Sequence, residues 1–323
     1  MDRSAAARFL ILALTGLPLS HTTAAQQIKP AQPLTFVVAF APGGVADGIA
    51  RLLGQKLGSR LGQRVLIENR GGAGGNLAAK LAASAEPDGH TILVTTTAVA
   101  INESLYKRKG YEAGDLQTIA IVASTPEVLT VHASNPAKTL KDFVEGAKDR
   151  TVTFGSAGVG SGSYIAAEYF FKTRTAAKLV HVPFQGGAPA VNAAVGNHIE
   201  LLAISLPSVT SQIAQGALRG IGIAAPQRNL LVPDVPTYAE TGYPEFSASS
   251  WVALMTSAKT NRNIVVELNR AIQEILREPE IQDRLNRLGF EPIYNSAEEA
   301  DALLKSEIHR WGEMVQTLGT VAD

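Results

Sequence analysis

The sequence predicts an α/β protein built as two similar lobes with a cleft between them. Three observations carry that reading. Short, nearly all-apolar runs alternate with helical periodicities from residue 34 onward, glycine-rich loops join them, and two extended runs bracket the second half of the series. Such apolar runs suit parallel strands buried on both faces, and strand–loop–helix succession gives right-handed crossovers. A length of 323 residues suits about two domains.

The elements follow in order. Leu34 to Phe40 is the first strand, Ala41 to Gly44 turns the chain, and Ile49, Leu52, Leu53, Leu57 and Leu61 recur at helical spacing. Val65 to Glu68 is the second strand, followed by a glycine loop at Asn69 to Gly75 and a helix over about Asn76–Ala85. Thr91 to Thr95 is the third, and the sheet is expected to be parallel. A second series begins near Thr139, with strands at Thr151–Phe154, Leu179–Phe184, Ile199–Ile204 and Leu218–Ala224. Helices are expected at Gly162–Lys172, Ala188–Val195 and Val209–Gln215. Pro226, Pro233, Pro236 and Pro244 mark a long loop. The chain then turns helical, with one stripe from Ile264 to Leu276 and another from Leu303 to Val315, the latter opened by a Ser296/Glu299 capping box. If the extended runs Ile119–Ala123 and Ser249–Leu254 both cross between lobes, the C-terminal helices return to the first. Domain 1 is then residues 30–124 plus 249–323, and domain 2 is 125–248.

The first residues read as an address. Arg3 and Arg8 precede an apolar run from Phe9 to Leu19, and Thr23 and Ala25 occupy the −3 and −1 positions of a cleavage site before Gln26. The run is shorter than the roughly 20 residues of a membrane span. A signal peptide over residues 1–25 is therefore expected, with the mature chain in a bacterial periplasm. Composition narrows the function further. Hydrophobic residues at 46% exclude a disordered chain, and Lys plus Arg equals Asp plus Glu at 29 each, leaving no basic excess for nucleic acid. Cysteine is absent, which excludes disulfides, thiolate metal sites and thiol nucleophiles.

Three loops carry the chemistry: Ala41-Pro42-Gly43-Gly44-Val45-Ala46-Asp47, Asn69-Arg70-Gly71-Gly72-Ala73-Gly74-Gly75, and Gly155-Ser156-Ala157-Gly158-Val159-Gly160-Ser161-Gly162-Ser163. Each follows a strand and opens a helix, where ligands of open α/β sheets bind. Each is alone explained as a tight turn needing positive φ. Together they suggest an anion held by main-chain N–H groups and serine hydroxyls. Phosphate loops fail on spacing: G-x-x-x-x-G-K-[ST] is absent, and Gly158-Val159-Gly160 lacks the third glycine of a dinucleotide fingerprint. No cofactor is implied.

Enzyme signatures are poor. No G-x-S-x-G elbow or H-E-x-x-H occurs, and Ser104-Leu105-Tyr106-Lys107 matches S-x-x-K without its companions. His90, His132, His181, His198 and His309 lack metal-ligand spacing, and His181 in an apolar strand reads as packing. Asp47 either orients a ligand or caps its helix. Arg51 and Arg70 either meet a ligand or form surface ion pairs. Tyr164 either closes over a ligand or packs on its helix. A secreted hydrolase would need Ser156 or Ser161 activated by a base that the motifs do not supply.

With these loops the sequence resembles the periplasmic substrate-binding proteins of tripartite tricarboxylate transporters, the Bug family. Further carriers are Pro87-Asp88-Gly89-His90-Thr91, Val182-Pro183-Phe184-Gln185-Gly186 and Pro233-Asp234-Val235-Pro236-Thr237-Tyr238-Ala239-Glu240. The resemblance runs from about Pro33 to Gly319. It implies a two-domain periplasmic binding protein of type II, with two crossing hinge strands, closing like a flytrap on an organic carboxylate for delivery to membrane transporter subunits. A sensory role, presenting the liganded form to a sensor kinase, is the alternative. The implied ligand residues are Phe40, Pro42, Gly43, Gly44, Ala46 and Asp47, then Ser156, Ala157, Gly158, Gly160, Ser161 and Tyr164, with Ala73, Gly74, Gln185 and Gly186 lining the cleft. Ala46 stands where the family often has Thr or Ser, and Tyr164 where His is common. These departures imply a larger or more apolar ligand.

Overall fold

The computed structural model describes residues 32–244 and 246–323; the expected signal peptide lies outside them. Strand β1 (Leu34–Val38) leads into helix α1 (Val45–Leu61), which stops at Gly62 in the left-handed region (φ 64°). Then come β2 (Val65–Asn69), α2 (Asn76–Ala83), β3 (Thr91–Thr96) and α3 (Ala98–Leu105). The first strand ends at Val38, so Ala39 and Phe40 already belong to the loop. β1 is the middle strand of this parallel trio, with Leu34 opposite Val65 and Thr35 opposite Thr91.

Strand β4 (Leu116–His132) is the long element. The second series hangs from it: α4 (Leu140–Ala147), β5 (Thr151–Ser156), α5 (Gly162–Arg174), β6 (Lys178–Pro183), α6 (Gly187–Val195), β7 (Leu201–Ser205), α7 (Thr210–Ala214) and β8 (Leu218–Ile223). The proline-rich stretch that follows holds no α-helix or strand among its described residues. The chain closes with β9 (Ser249–Ser257), α8 (Arg262–Leu276), α9 (Pro279–Leu288), β10 (Glu291–Pro292) and α10 (Ala297–Leu318). The Ser296/Glu299 box forms as expected, each side chain accepting from the other residue's N–H.

The strands run in the order β2-β1-β3-β9-β4-β7-β5-β6, with β10 and β8 also on β4. The expected parallel sheet is found only at the two flanks. β9 is antiparallel to both β3 and β4, and β4 is antiparallel to β7 and β8. From Leu116 to Pro126 strand β4 pairs with β9; from Glu127 it pairs with β7 and β8. One strand thus carries the chain out of the first sheet and β9 carries it back, which forces the antiparallel centre. Helix α8 packs on α1 and β4, so the C-terminal helices do return to the first sheet. Helix α10 reaches further. It packs on α3 and α5, and Lys172 Nζ donates to Leu318 O at 2.6 Å.

Candidate functional site

The ends of β1, β3, β5 and β7 point at one another across the passage between the sheets. There they enclose a cavity of about 40 Å³. At roughly 10–15 Å³ per water centre, that is room for about three waters. Three helices begin on its wall: α1 with Gly44, Val45 and Ala46, α5 with Gly162 and Ser163, and α6 with Gly187. First-turn N–H groups have no partner within their own helix, and each helix start carries a partial positive charge. Thr96, Ser161, Ser205, Ser208 and Ser250 add hydroxyls, Phe40, Ala157 and Ile204 add apolar surface, and no Lys or Arg lines the wall. The Ser208 Oγ is buried and has no hydrogen-bond partner among the described residues. Such a surface offers donors without a fixed cation, which suits a compact anion.

Of the residues expected from sequence, Phe40, Gly44, Ala46, Ala157 and Ser161 line this cavity. The others surround it in supporting positions. Asp47 accepts from Gly43 N–H (3.0 Å), Arg51 Nε (2.9 Å) and Asn69 Nδ2 (3.1 Å), while Asn69 also donates to Phe40 O. Burial alone would raise its pKa, but these donors outweigh it and hold Asp47 below the usual carboxylate range. Asp47 therefore braces the first loop from behind, and Arg51 is engaged in that brace. Arg70 pairs with Glu68 on the surface. Pro42 and Gly43 lie on the outer side of that loop and do not line the cavity.

The remaining loop residues close the two lobes on each other. Ala41 N–H donates to Gln185 O at 3.3 Å, and a Cβ on Gly186 would stand 3.2 Å from Ala41 Cβ. Gly74 (φ 62°) faces Val159 O and the Tyr106 ring, next to Ala73 (φ 48°), and Tyr106 Oη lies 3.5 Å from the same carbonyl. In the third loop Gly158 and Gly160 have φ of 117° and 87°, conformations that glycine adopts without strain. Ser161 caps α5: its Oγ accepts from Tyr164 N–H and donates to Gly158 O at 2.7 Å.

Ser156, Tyr164 and His181 form a layer behind the wall. Ser156 Oγ is 2.8 Å from His181 Nε2, and the imidazole stacks on Tyr164 (4.3 Å between centroids) and lies tilted against Phe154 (4.7 Å). Burial pushes the His181 ring down to about 4, keeping it neutral near pH 7. Tyr164 packs rather than covers the cavity, so its expected effect on ligand size has no direct contact to act through. Ser156 is fully buried, out of reach of a substrate. Ser104 sits on α3, against Gly312 of α10. Among the described residues no group of His, Asp and Glu is arranged to hold a metal ion, and no helix is long and apolar enough to cross a membrane.

Sequence reasoning missed Thr96, Ser205, Ser208 and Ser250, isolated residues at strand ends without a motif. It also missed Glu127, which lies directly behind Ser205 and Ser250 and accepts both hydroxyls. Burial pushes its carboxyl up to about 7 despite those two hydrogen bonds.

The fold is that of a two-lobed α/β binding protein of the periplasmic type, with a cavity at its strand ends. Residues 49–320 match the model of the tripartite tricarboxylate transporter family receptor. BugT of Bordetella pertussis is 32% identical over 318 residues, covering 96% of this chain and 97% of that protein. A solved R. palustris protein with adipate superposes with a TM-score of 0.87 at 29% identity, over 90% of this chain and 99% of that one. MatC from Rhodopseudomonas palustris with bound malate gives 0.82 at 31%, over 89% and 100%. The chain belongs to the tripartite tricarboxylate transporter receptor family.

Proposed function

We propose that this chain is a periplasmic receptor that closes on an organic carboxylate and delivers it to the membrane subunits of a tripartite tricarboxylate-type transporter. The observation that carries the reading is the convergence of the α1, α5 and α6 starts on one cavity without a lysine or arginine. A carboxylate placed there meets the N–H groups of up to five first-turn residues and the Ser208 hydroxyl, with the helix dipoles aligned toward it. The relatives solved with adipate and malate support the ligand class. The ligand role of Phe40, Gly44, Ala46, Ala157 and Ser161 is direct in this reading. That of Pro42, Gly43, Asp47, Ala73, Gly74, Ser156, Gly158, Gly160, Tyr164, Gln185 and Gly186 is to shape and shut the cleft.

Residues 30–124 with 249–323 form one closing domain and 125–248 the other, hinged where β4 leaves the first sheet at Pro126 and β9 enters it at Ser249. Because the cavity holds about three waters, a larger ligand enters only as this hinge opens. Export removes the leader after Ala25, which intact-mass measurement of periplasmic extract checks. A thermal-shift panel of mono-, di- and tricarboxylates, with adipate and malate first, tests the ligand class. Saturation at a hundred times Kd adds about 2.7 kcal/mol, an upward shift of roughly 4 °C for a chain of this length. A sugar or a cation that shifts the melting temperature where no carboxylate does overturns the proposal.

A further inference from the structure

Glu127 is placed where a carboxylate ligand would least tolerate it. The residue sits on β4 at the passage between the sheets, its N–H donating to Ala248 O and its carbonyl accepting from Ala224 N–H. Its side chain is 4% exposed. Ser205 Oγ donates to both carboxylate oxygens at 3.1 and 3.2 Å, and Ser250 Oγ donates to Oε1. Those same two hydroxyls line the cavity. Oε1 also lies 3.2 Å from where a Cβ on Gly162 would stand, beside the start of α5.

Among the described residues no cation pairs with it. β7 and β9 carry no charged residue, and Arg219 of β8 is tied to the carbonyls of Ala133, Asn135 and Ala137. On α5 the charges Glu168, Lys172 and Arg174 lie beyond the first turn. Thr97, ahead of α3, contributes a hydroxyl 3.2 Å from Ser250 Oγ. The titratable group that feels the Glu127 charge is the buried Tyr238 phenol, which stays neutral.

We propose that Glu127 is the proton-linked positioning residue of the cavity: an anionic ligand binds together with one proton, which Glu127 takes from solvent. This rests on the receptor reading above. While ionised, Glu127 draws the Ser205 and Ser250 protons toward itself, so both serines turn lone pairs to the cavity. It also competes with the ligand for the positive end of α5. Once protonated, Glu127 becomes a donor, and one serine swings its O–H toward the ligand carboxylate. Two negative charges at one helix start are replaced by one, and burial already biases the carboxyl toward its neutral form.

The test is calorimetric titration of the mature protein with adipate and with malate between pH 6 and pH 9. One linked proton weakens binding about tenfold per pH unit above about 7. Buffers of different ionisation enthalpy at pH 8 should report close to one proton taken up. Glu127→Gln, which keeps the hydrogen-bonding shape of the neutral acid, should bind with pH-independent affinity near the wild-type value at pH 6. A flat wild-type profile without proton uptake overturns the proposal while leaving the receptor reading standing. So does a Glu127→Gln protein that retains the full pH dependence. The buffer comparison needs only wild-type protein, so it decides the matter even if the variant folds poorly. Absence of binding at every pH by every carboxylate of the thermal-shift panel removes the receptor reading and this proposal with it.

Discussion

Replacing Gly44 by Asp separates the ligand site from the fold more cleanly than any other single change. Gly44 caps α1 at φ −88° and ψ 179°, an extended conformation open to every residue. A Cβ there would lie 3.6 Å from Ala41 O and 3.7 Å from Gly187 N, ordinary van der Waals distances. Aspartate is also among the best helix caps, better than glycine by a few tenths of a kcal/mol, and its charge adds about 0.3–1 kcal/mol against the dipole. The variant should therefore fold with a melting temperature equal to the wild type or a few degrees higher. Its carboxylate, however, occupies the α1 start and faces α6, where the ligand anion would sit. Losing two hydrogen bonds to a charged group costs about 3–6 kcal/mol, and two charges about 5 Å apart at an effective dielectric of 20 repel by roughly 3 kcal/mol. Calorimetry should show affinity falling at least a hundredfold. Gly44→Ala, which adds volume without charge, should lose tenfold or less. A stable Gly44→Asp protein that binds like the wild type would refute the reasoning, because the anion would then lie outside the first glycine loop.

Other outcomes follow from the same geometry. Ser208→Ala should weaken carboxylate binding about tenfold without lowering the melting temperature, since its Oγ has no partner among the described residues. Ser161→Ala should lower both, with about 1 kcal/mol lost from the α5 cap. Raising salt from 50 to 500 mM should change Kd less than about threefold, because hydrogen bonds inside a closed cavity are weakly screened; a tenfold loss would argue for a surface cation. Urea melts against pH test two windows. Burial holds His181 down to about 4, so the unfolded chain takes its proton first and this residue costs stability as pH drops from about 6.5 toward 4. Burial also pushes Glu127 up to about 7, so the folded chain takes that proton first and Glu127 adds stability over nearly the same range. The two effects, each at most about 3 kcal/mol, offset each other in the wild type. His181→Gln should leave the Glu127 contribution alone, so stability should rise as pH falls from about 7 toward 4.5. Asp47 is held below the usual carboxylate range, so its stabilisation is complete above about pH 5 and is lost as acid protonates it. Asp47→Asn should remove that steeper acid limb and cost about 1–3 kcal/mol at neutral pH.

How much the sequence discloses depends on whether a feature is local. The apolar runs read at Leu34–Phe40 and Ile199–Ile204 form strands at Leu34–Val38 and Leu201–Ser205, within two residues at each end, and the Ser296/Glu299 box forms as read, because each fits within one element. The first and third glycine loops reach the cavity because a loop that opens a helix at a strand end is positioned by its own two elements. The Asn69 to Gly75 loop has the same local pattern, yet its Asn69 braces Asp47 and its Gly74 meets Val159. Pattern alone does not say which face of the turn looks into a cleft. Helix α3 went unread because Ala98-Val99-Ala100-Ile101 is apolar without a polar face, as a helix covered by α10 can be. The wall serines and Glu127 were invisible for a different reason. Ser205, Ser250 and Glu127 meet only because β4 and β9 cross between sheets at that level. Nothing in Thr-Pro-Glu-Val or Ala-Ser-Ser-Trp announces such a meeting.

The central claim is that three helix starts hold the carboxylate. A crystal structure of the mature protein with adipate or malate, whichever gives the larger thermal shift, tests it most directly. The account predicts a carboxylate group in the cavity within hydrogen-bond distance of N–H groups from at least two of Val45–Ala46, Gly162–Ser163 and Gly187, with Ser208 Oγ as a further donor. A ligand seated elsewhere, for instance in the groove between Ala224–Leu231 and Asn286–Glu291, or one held chiefly by arginine side chains, would contradict it.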